Sequence, residues 1–282
     1  MNASSIQFLS GFEARPEVSH VVFDFDGTLS LLRQGWPRTM LGLFLDLLTP
    51  LESEDRAALE AELVTEILSF NGKQPIHQMR AFAARVAARG GETESPEEYL
   101  ATYAKRLRAE INERLDAIHS GRKDRDEFIL HGGRALLERL REQGFTLFLL
   151  SGTNEDFVRE EAELLGLTEF FHAGLFGGTK DPRDFSKERV YDRIISEHGI
   201  TGANLLSIGD GPVEMRATVE RGGLAVAVAS DELNNGSGVI DPDKRAVLTA
   251  AGARVVIPDY RDADELLSCI AGCRSANILS TA

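Results

Sequence analysis

The sequence predicts an α/β fold, a doubly wound parallel sheet with a helical domain inserted near its N-terminal end. Three observations carry this expectation. Short apolar runs end repeatedly in polar turns, amphipathic stretches between them stop at glycine, and residues 31–130 show helical periodicity without a strand.

The first run, Val21-Val22-Phe23, is short and β-branched and leads straight into Asp24-Phe25-Asp26-Gly27-Thr28, as a buried strand ending in a polar turn does. Helical periodicity follows over 37–48, 54–70, 76–89 and 96–118, and Ser53 and Ser95 suit N-caps. The segments 91–98 and 121–127 read as surface turns, the second also leading back to the sheet. This placement predicts a helical domain of residues 31–130 within a core made of 1–30 and 131–282, joined by two connections that form a hinge.

Three later runs repeat the strand-then-turn pattern. Residues 145–150 run into Ser151-Gly152-Thr153, 205–208 into Gly209-Asp210-Gly211, and 255–257 into Pro258-Asp259. Gly144, Gly199, Gly222 and Gly252 each follow an amphipathic stretch, where a left-handed residue closes a helix. Polar residues thus gather at the carboxyl ends of parallel strands, where ligands bind in such sheets.

Composition narrows the function classes. The 282 residues carry 31 Lys and Arg against 45 Asp and Glu, a formal charge of −14, and 43% of them are hydrophobic. That supports a globular core and a field that repels nucleic acid and anionic membranes. Cys269 and Cys273 lie one helical turn apart with no zinc-like spacing, as expected in a reducing compartment. No apolar stretch is long enough to span a bilayer and residues 1–20 lack a basic signal region, so a soluble cytoplasmic protein, monomeric or homodimeric, is expected.

Asp24 and Asp26 flank one phenylalanine just past a strand, so their carboxylates leave the sheet edge close together, and such a pair calls for a cation. Alone, two aspartates in a turn would signify a solvated loop. Here they have partners in order. Asp24-Phe25-Asp26-Gly27-Thr28 resembles the first motif of the haloacid dehalogenase-like hydrolase superfamily. Leu147-Phe148-Leu149-Leu150-Ser151 resembles its second, and Lys187, at a helix start after Ser186, resembles its third. Ser207-Ile208-Gly209-Asp210-Gly211-Pro212-Val213-Glu214 resembles its fourth, with Glu where a second Asp is more usual.

The resemblance implies a Rossmann-like core, a helical C1-type cap that closes over the site, and a phosphatase. Asp24 would attack phosphorus in line to give an aspartyl-phosphate, and Asp26 would act as general acid and then base. A carboxylate nucleophile needs no deprotonation at neutral pH, whereas the leaving alkoxide needs a proton and the attacking water must lose one. Mg²⁺ would be held by the Asp24 and Asp210 carboxylates and the Asp26 carbonyl, with Glu214 reaching it through water or tying down its neighbours. Ser151 would hold the phosphoryl group together with the amides of Gly152 and Thr153 at the start of the next helix. Lys187 would neutralise it, with Lys180, in Gly177-Gly178-Thr179-Lys180-Asp181-Pro182, as the rival. Gly27, Gly152, Gly209 and Gly211 fall where a Cβ would obstruct a phosphate or metal.

Within the cap, Arg33, Trp36 and Lys73, the last in Asn71-Gly72-Lys73-Gln74, are the candidates for substrate contact, with His77 weaker. His131 and His172 are expected to be structural. The expected substrate is a small phosphorylated metabolite, a sugar phosphate or phospho-organic acid. A phosphomutase of the β-phosphoglucomutase type would use the same residues, and a non-catalytic binding or regulatory module is the reading from another class. Dehalogenation is disfavoured because it needs no acid at Asp26.

Overall fold

The computed structural model describes residues 5–49, 51, 54–71, 73–179, 181, 183–273 and 278–279. Among them are eight strands: β1 (Gln7–Leu9), β2 (His20–Phe23), β3 (Thr146–Asn154), β4 (Gly174–Gly178), β5 (Leu205–Gly209), β6 (Leu224–Val228), β7 (Val255–Ile257) and β8 (Ile278–Leu279). They form one sheet in the order β4-β3-β2-β5-β6-β7-β1-β8. The six strands from β4 to β7 run parallel, and β1 pairs antiparallel with β7.

β2 lies between β3 and β5, and Val21, Val22 and Phe23 are buried, as a strand covered on both faces requires. The chain crosses to β3 on one side of β2 and to β5 on the other, so a crevice opens at the carboxyl ends of these three strands. β4 was not expected from the sequence, because Gly174, Gly177 and Gly178 weaken its strand character. Close packing explains one of them: a Cβ on Gly177 would lie 2.4 Å from the Glu155 Cα. β1 and β8 are likewise additions, too short to show periodicity.

Four helices stand between β2 and β3: α1 (Trp36–Leu47), α2 (Arg56–Ser69), α3 (Ile76–Ala88) and α4 (Pro96–His119). They match the predicted stretches to within two residues. Ser95 caps α4 in a reciprocal capping box with Glu98. α2 starts at Arg56 rather than residue 54, because Asp55 accepts from the Ala57 and Ala58 amides; Ser53 lies outside the described residues. Phe44 and Phe82 stack with centroids 4.0 Å apart, and Tyr99 meets Phe82 edge-on. The two connections to this layer run side by side: the Leu31 amide donates to the Phe128 carbonyl and the Leu130 amide to the Leu29 carbonyl, each at 2.9 Å.

The remaining helices are α5 (Gly133–Glu142), α6 (Glu155–Leu164), α7 (Lys187–His198), α8 (Pro212–Glu220), α9 (Pro242–Ala250) and α10 (Ala263–Ile270). Gly144, Gly199, Gly222 and Gly252 all have positive φ, between 62° and 109°, as anticipated at helix ends. No helix among the described residues is long and apolar enough to cross a membrane.

Because Phe82 is buried between two aromatic partners, Phe82→Ala is expected to cost about 3–5 kcal/mol of unfolding free energy, measured by urea denaturation. A loss well under 1 kcal/mol would show that this stack does not organise the helical layer.

Candidate active site

The site begins where β2 ends. The Asp24 amide continues the ladder by donating to the Ile208 carbonyl at 3.0 Å, which fixes the backbone of a residue only 7% exposed. Phe25 turns back into the core, and its carbonyl accepts from the amides of Thr28, Leu29 and Ser30, closing a tight turn. Gly27 sits in that turn at φ +75°, and a Cβ there would fall 2.4 Å from Asp210 Oδ2. Both the backbone conformation and the close approach of Asp210 require glycine.

β5 delivers Asp210 to the same rim, and α8 starts immediately after it with Pro212 in its first turn. Glu214 Oε1 accepts from the Gly211 amide at 2.8 Å, which turns its carboxylate back toward Asp210. Oxygens of Asp24, Asp210 and Glu214 lie within 4.8 Å of one another, and all three residues are buried. Lys187, the first residue of α7 after the cap Ser186, donates from Nζ to Asp24 Oδ1 at 2.7 Å and to Glu214 Oε2 at 3.2 Å. The rival, Lys180, lies outside the described residues.

A second lysine that sequence reasoning missed reaches the cluster from the other side. Lys244, in the first turn of α9, lies 3.3 Å from Asp210 Oδ2 and 2.5 Å from Glu232 Oε1. Nothing in its local sequence marks it, since only the packing of α9 on the sheet brings it to Asp210.

Charge at this rim is unbalanced. Burial pushes the Asp24 carboxyl well above the ordinary carboxylate range, Lys187 opposes this, and Glu214 and Asp210 add to the push. Burial likewise raises Glu214 against the pull of Lys187. Burial pulls the Lys187 ammonium down, but Asp24 and Glu214 more than offset it and hold the group above the usual lysine value. The carboxylates of Asp24, Asp210, Glu214 and Glu232 face two ammonium groups, so the formal deficit is two positive charges. An all-oxygen donor set with that deficit fits a hard divalent cation.

Asp26 points elsewhere in the same pocket. Its Oδ2 accepts from Thr153 Oγ1 at 2.8 Å and from Ser151 Oγ at 3.2 Å, and Arg33 Nε lies 3.5 Å from its Oδ1. That Oδ1 is buried and accepts no hydrogen bond. Ser151 is therefore engaged with Asp26, and its oxygen also accepts from the Thr153 amide. One expectation is corrected: Gly152 and Thr153 are not at a helix start. β3 continues through Asn154, whose side chain caps α6 at Glu155 by accepting from the Asp156 amide, so the two amides belong to an extended strand end.

Arg33 does reach the pocket, but its guanidinium donates to both oxygens of Glu161, at 3.0 and 2.6 Å, and Glu161 is fully buried on α6. Burial pushes Glu161 up while Arg33 opposes. Asp24, Asp26, Ser151, Gly152 and Lys187 line a pocket of ≈ 80 Å³ together with Arg33, Trp36 and Lys73. Trp36 is half-buried and packs against the hydrophobic core; the Lys73 ammonium lies 5.4 Å from the Phe70 ring. Asn71 also lines the pocket and donates to the Asp210 carbonyl at 3.0 Å. His77, His131 and His172 are not among its lining residues.

The model of the haloacid dehalogenase-like hydrolase family matches residues 18–219. A phosphoglycolate phosphatase of Aliivibrio fischeri is 31% identical over 127 residues, covering 40% of this chain and 54% of that protein, so the chain spans about half the length of the curated relative it matches. A β-phosphoglucomutase of Clostridium difficile superimposes with a TM-score of 0.59 at 13% identity, over 90% of this chain and 97% of that one. A haloacid dehalogenase-like family hydrolase of Streptococcus pneumoniae gives 0.55 at 19% identity, over 89% and 97%. At these identities the likeness to the solved structures is one of fold.

The Arg33–Glu161 pair generates a stability prediction. Arg33→Met strands a buried carboxylate and should cost about 3–5 kcal/mol in urea unfolding, whereas Arg33→Met combined with Glu161→Met should recover most of that loss. A double variant no better than the single one would show that packing, not the stranded charge, carries the cost.

Proposed function

The chain belongs to the haloacid dehalogenase-like hydrolase family, and from that premise we propose that it is a Mg²⁺-dependent phosphatase acting on a small phosphorylated metabolite through an aspartyl-phosphate. The observation that carries this reading is the buried Asp24 carboxylate, paired with Lys187 and clustered with Asp210 and Glu214, with Asp26 opening onto the same pocket.

In the first step Asp24 attacks phosphorus. A bond forms between its carboxylate oxygen and phosphorus as the phosphorus–oxygen bond of the ester breaks. Asp26 gives its proton to the departing oxygen while Ser151 and Thr153 hold its Oδ2 in place. In the second step the Asp26 carboxylate takes a proton from water, whose oxygen bonds to phosphorus and frees Asp24 and inorganic phosphate. Lys187 offsets the negative charge of Asp24 and of the phosphoryl oxygens throughout.

Asp24, Asp210 and the Asp26 carbonyl are the groups that would hold Mg²⁺, with Glu214 and Lys187 fixing the carboxylates around it. When bound, the ion supplies the charge neutralisation that lets an anionic nucleophile meet an anionic phosphoryl group. Residues 31–130 are proposed as a cap domain that closes by flexing at the paired connections near Leu31 and Leu130. The named phosphatase relative supports a small phosphorylated substrate.

Asp24→Asn is expected to abolish phosphate release while leaving the thermal transition in place, and Asp26→Ala to lower turnover by ~10² or more. Phosphate release from Asp24→Asn at the wild-type rate would exclude Asp24 as the nucleophile. In the mutase alternative, an isomerised sugar phosphate would appear without free phosphate.

EDTA should stop turnover and Mg²⁺ restore it. Independently of activity, saturating Mg²⁺ should raise the unfolding free energy, by about 2.7 kcal/mol at a hundred times Kd, and Asp210→Asn should remove most of that gain. An unchanged melting temperature with Mg²⁺ would contradict the cation site.

A further inference from the structure

A chamber of ≈ 460 Å³ lies beside the catalytic pocket. Arg33, Pro75, Tyr103, Leu107, Gly152 and Thr153 line both spaces, so the two adjoin. Its further walls are Ile76 from α3, Leu100, Ala104 and Ile111 from α4, and Phe157 from α6. Phe157 is 43% exposed and forms part of this wall.

Of the charged side chains that line it, Arg33 and Arg108 are paired with carboxylates and the third, Glu97, is exposed. Arg33 is held by both oxygens of Glu161, Arg108 lies 3.3 Å from Glu160, and both guanidinium carbons sit over the Phe157 ring at 5.8 and 5.6 Å. Two buried polar atoms here lack hydrogen-bond partners, Arg108 Nη1 and Gln74 Oε1. A sugar would bring several hydroxyls against the apolar side chains of Leu100, Ala104, Leu107, Ile111 and Phe157, and each hydroxyl left unpaired there is costly. A short acid would leave most of the chamber unfilled, since the catalytic pocket itself measures only ≈ 80 Å³.

On the phosphatase reading above, we propose that the alcohol part of the substrate is a predominantly apolar group, a medium-chain alkyl or an aryl moiety, seated in this chamber between α3, α4 and α6 while its phosphate lies at Asp24. The chamber's size falls within the range typical of small-molecule sites, which are mostly apolar with a few placed polar groups. A hydroxyl on such a group would suit either free atom, accepting from Arg108 Nη1 or donating to Gln74 Oε1.

The test measures inorganic phosphate released with Mg²⁺ from linear alkyl phosphates running from methyl to octyl, from phenyl and naphthyl phosphate, and from phosphoglycolate and glucose phosphates. The expected result is a kcat/KM that climbs by about threefold or more per added methylene until the chamber is filled. Ala104→Trp, which adds bulk at an exposed position of α4 that lines the chamber, should lower the octyl-to-methyl ratio of kcat/KM by about tenfold, equivalent to losing between one and two buried methylenes. A flat or falling dependence on chain length, with phosphoglycolate or a glucose phosphate turned over best, would overturn the chamber assignment and leave the phosphatase reading standing. Release from none of these esters would remove the phosphatase reading and the assignment with it.

Discussion

A carboxylate buried beside two others is the constraint around which this molecule is arranged. Asp24 pairs with Lys187 at 2.7 Å, yet Asp210 and Glu214 stand in the same small volume, and so much negative charge in a medium of low polarity is costly unless compensated. Three loops at the carboxyl ends of β2 and β5 and at the start of α7 must therefore keep their positions closely. Gly27 lets the first loop pass against Asp210, and the Glu214 carboxylate is turned inward by the Gly211 amide. Lys244 enters from α9 and compensates Asp210 from outside the cluster.

The helical layer is fastened to this rim at both of its reactive edges. Arg33, just beyond the first connection, joins Asp26 to Glu161 of α6, and Asn71, in the turn between α2 and α3, donates to the Asp210 carbonyl. Any movement of the layer must break or carry these contacts, so the position of the helices and the state of the two aspartates are physically linked. In the proposed closure, the paired connections at Leu29–Leu31 and Phe128–Leu130 would take up such a movement.

Within the proposed function, chemistry and selectivity then have separate sources. The strand ends supply the groups that meet phosphorus, while α3, α4 and the exposed ring of Phe157 shape the space beside it. Fold membership speaks to the first of these alone, because the walls of a pocket vary freely on an unchanged core.

The sequence by itself determined the parallel α/β core, the four inserted helices, the glycine helix ends and the aspartates of the rim. Each rests on a local rule: period, cap, turn chemistry, or two acids flanking one apolar residue that must turn inward. β4 escaped because its glycines answer to close packing against Glu155 rather than to strand propensity, and the strand tail at Gly152–Asn154 was read as a helix start because Asn154, not Ser151, is the cap. Only the tertiary structure decided that Ser151 and Thr153 hold Asp26, that Arg33 is spent on Glu161, that Lys244 stands against Asp210, and that an apolar chamber adjoins the site. Those facts join residues far apart in the chain, and short-range pattern carries no information about which distant side chains the packing of helices on a sheet will bring into contact.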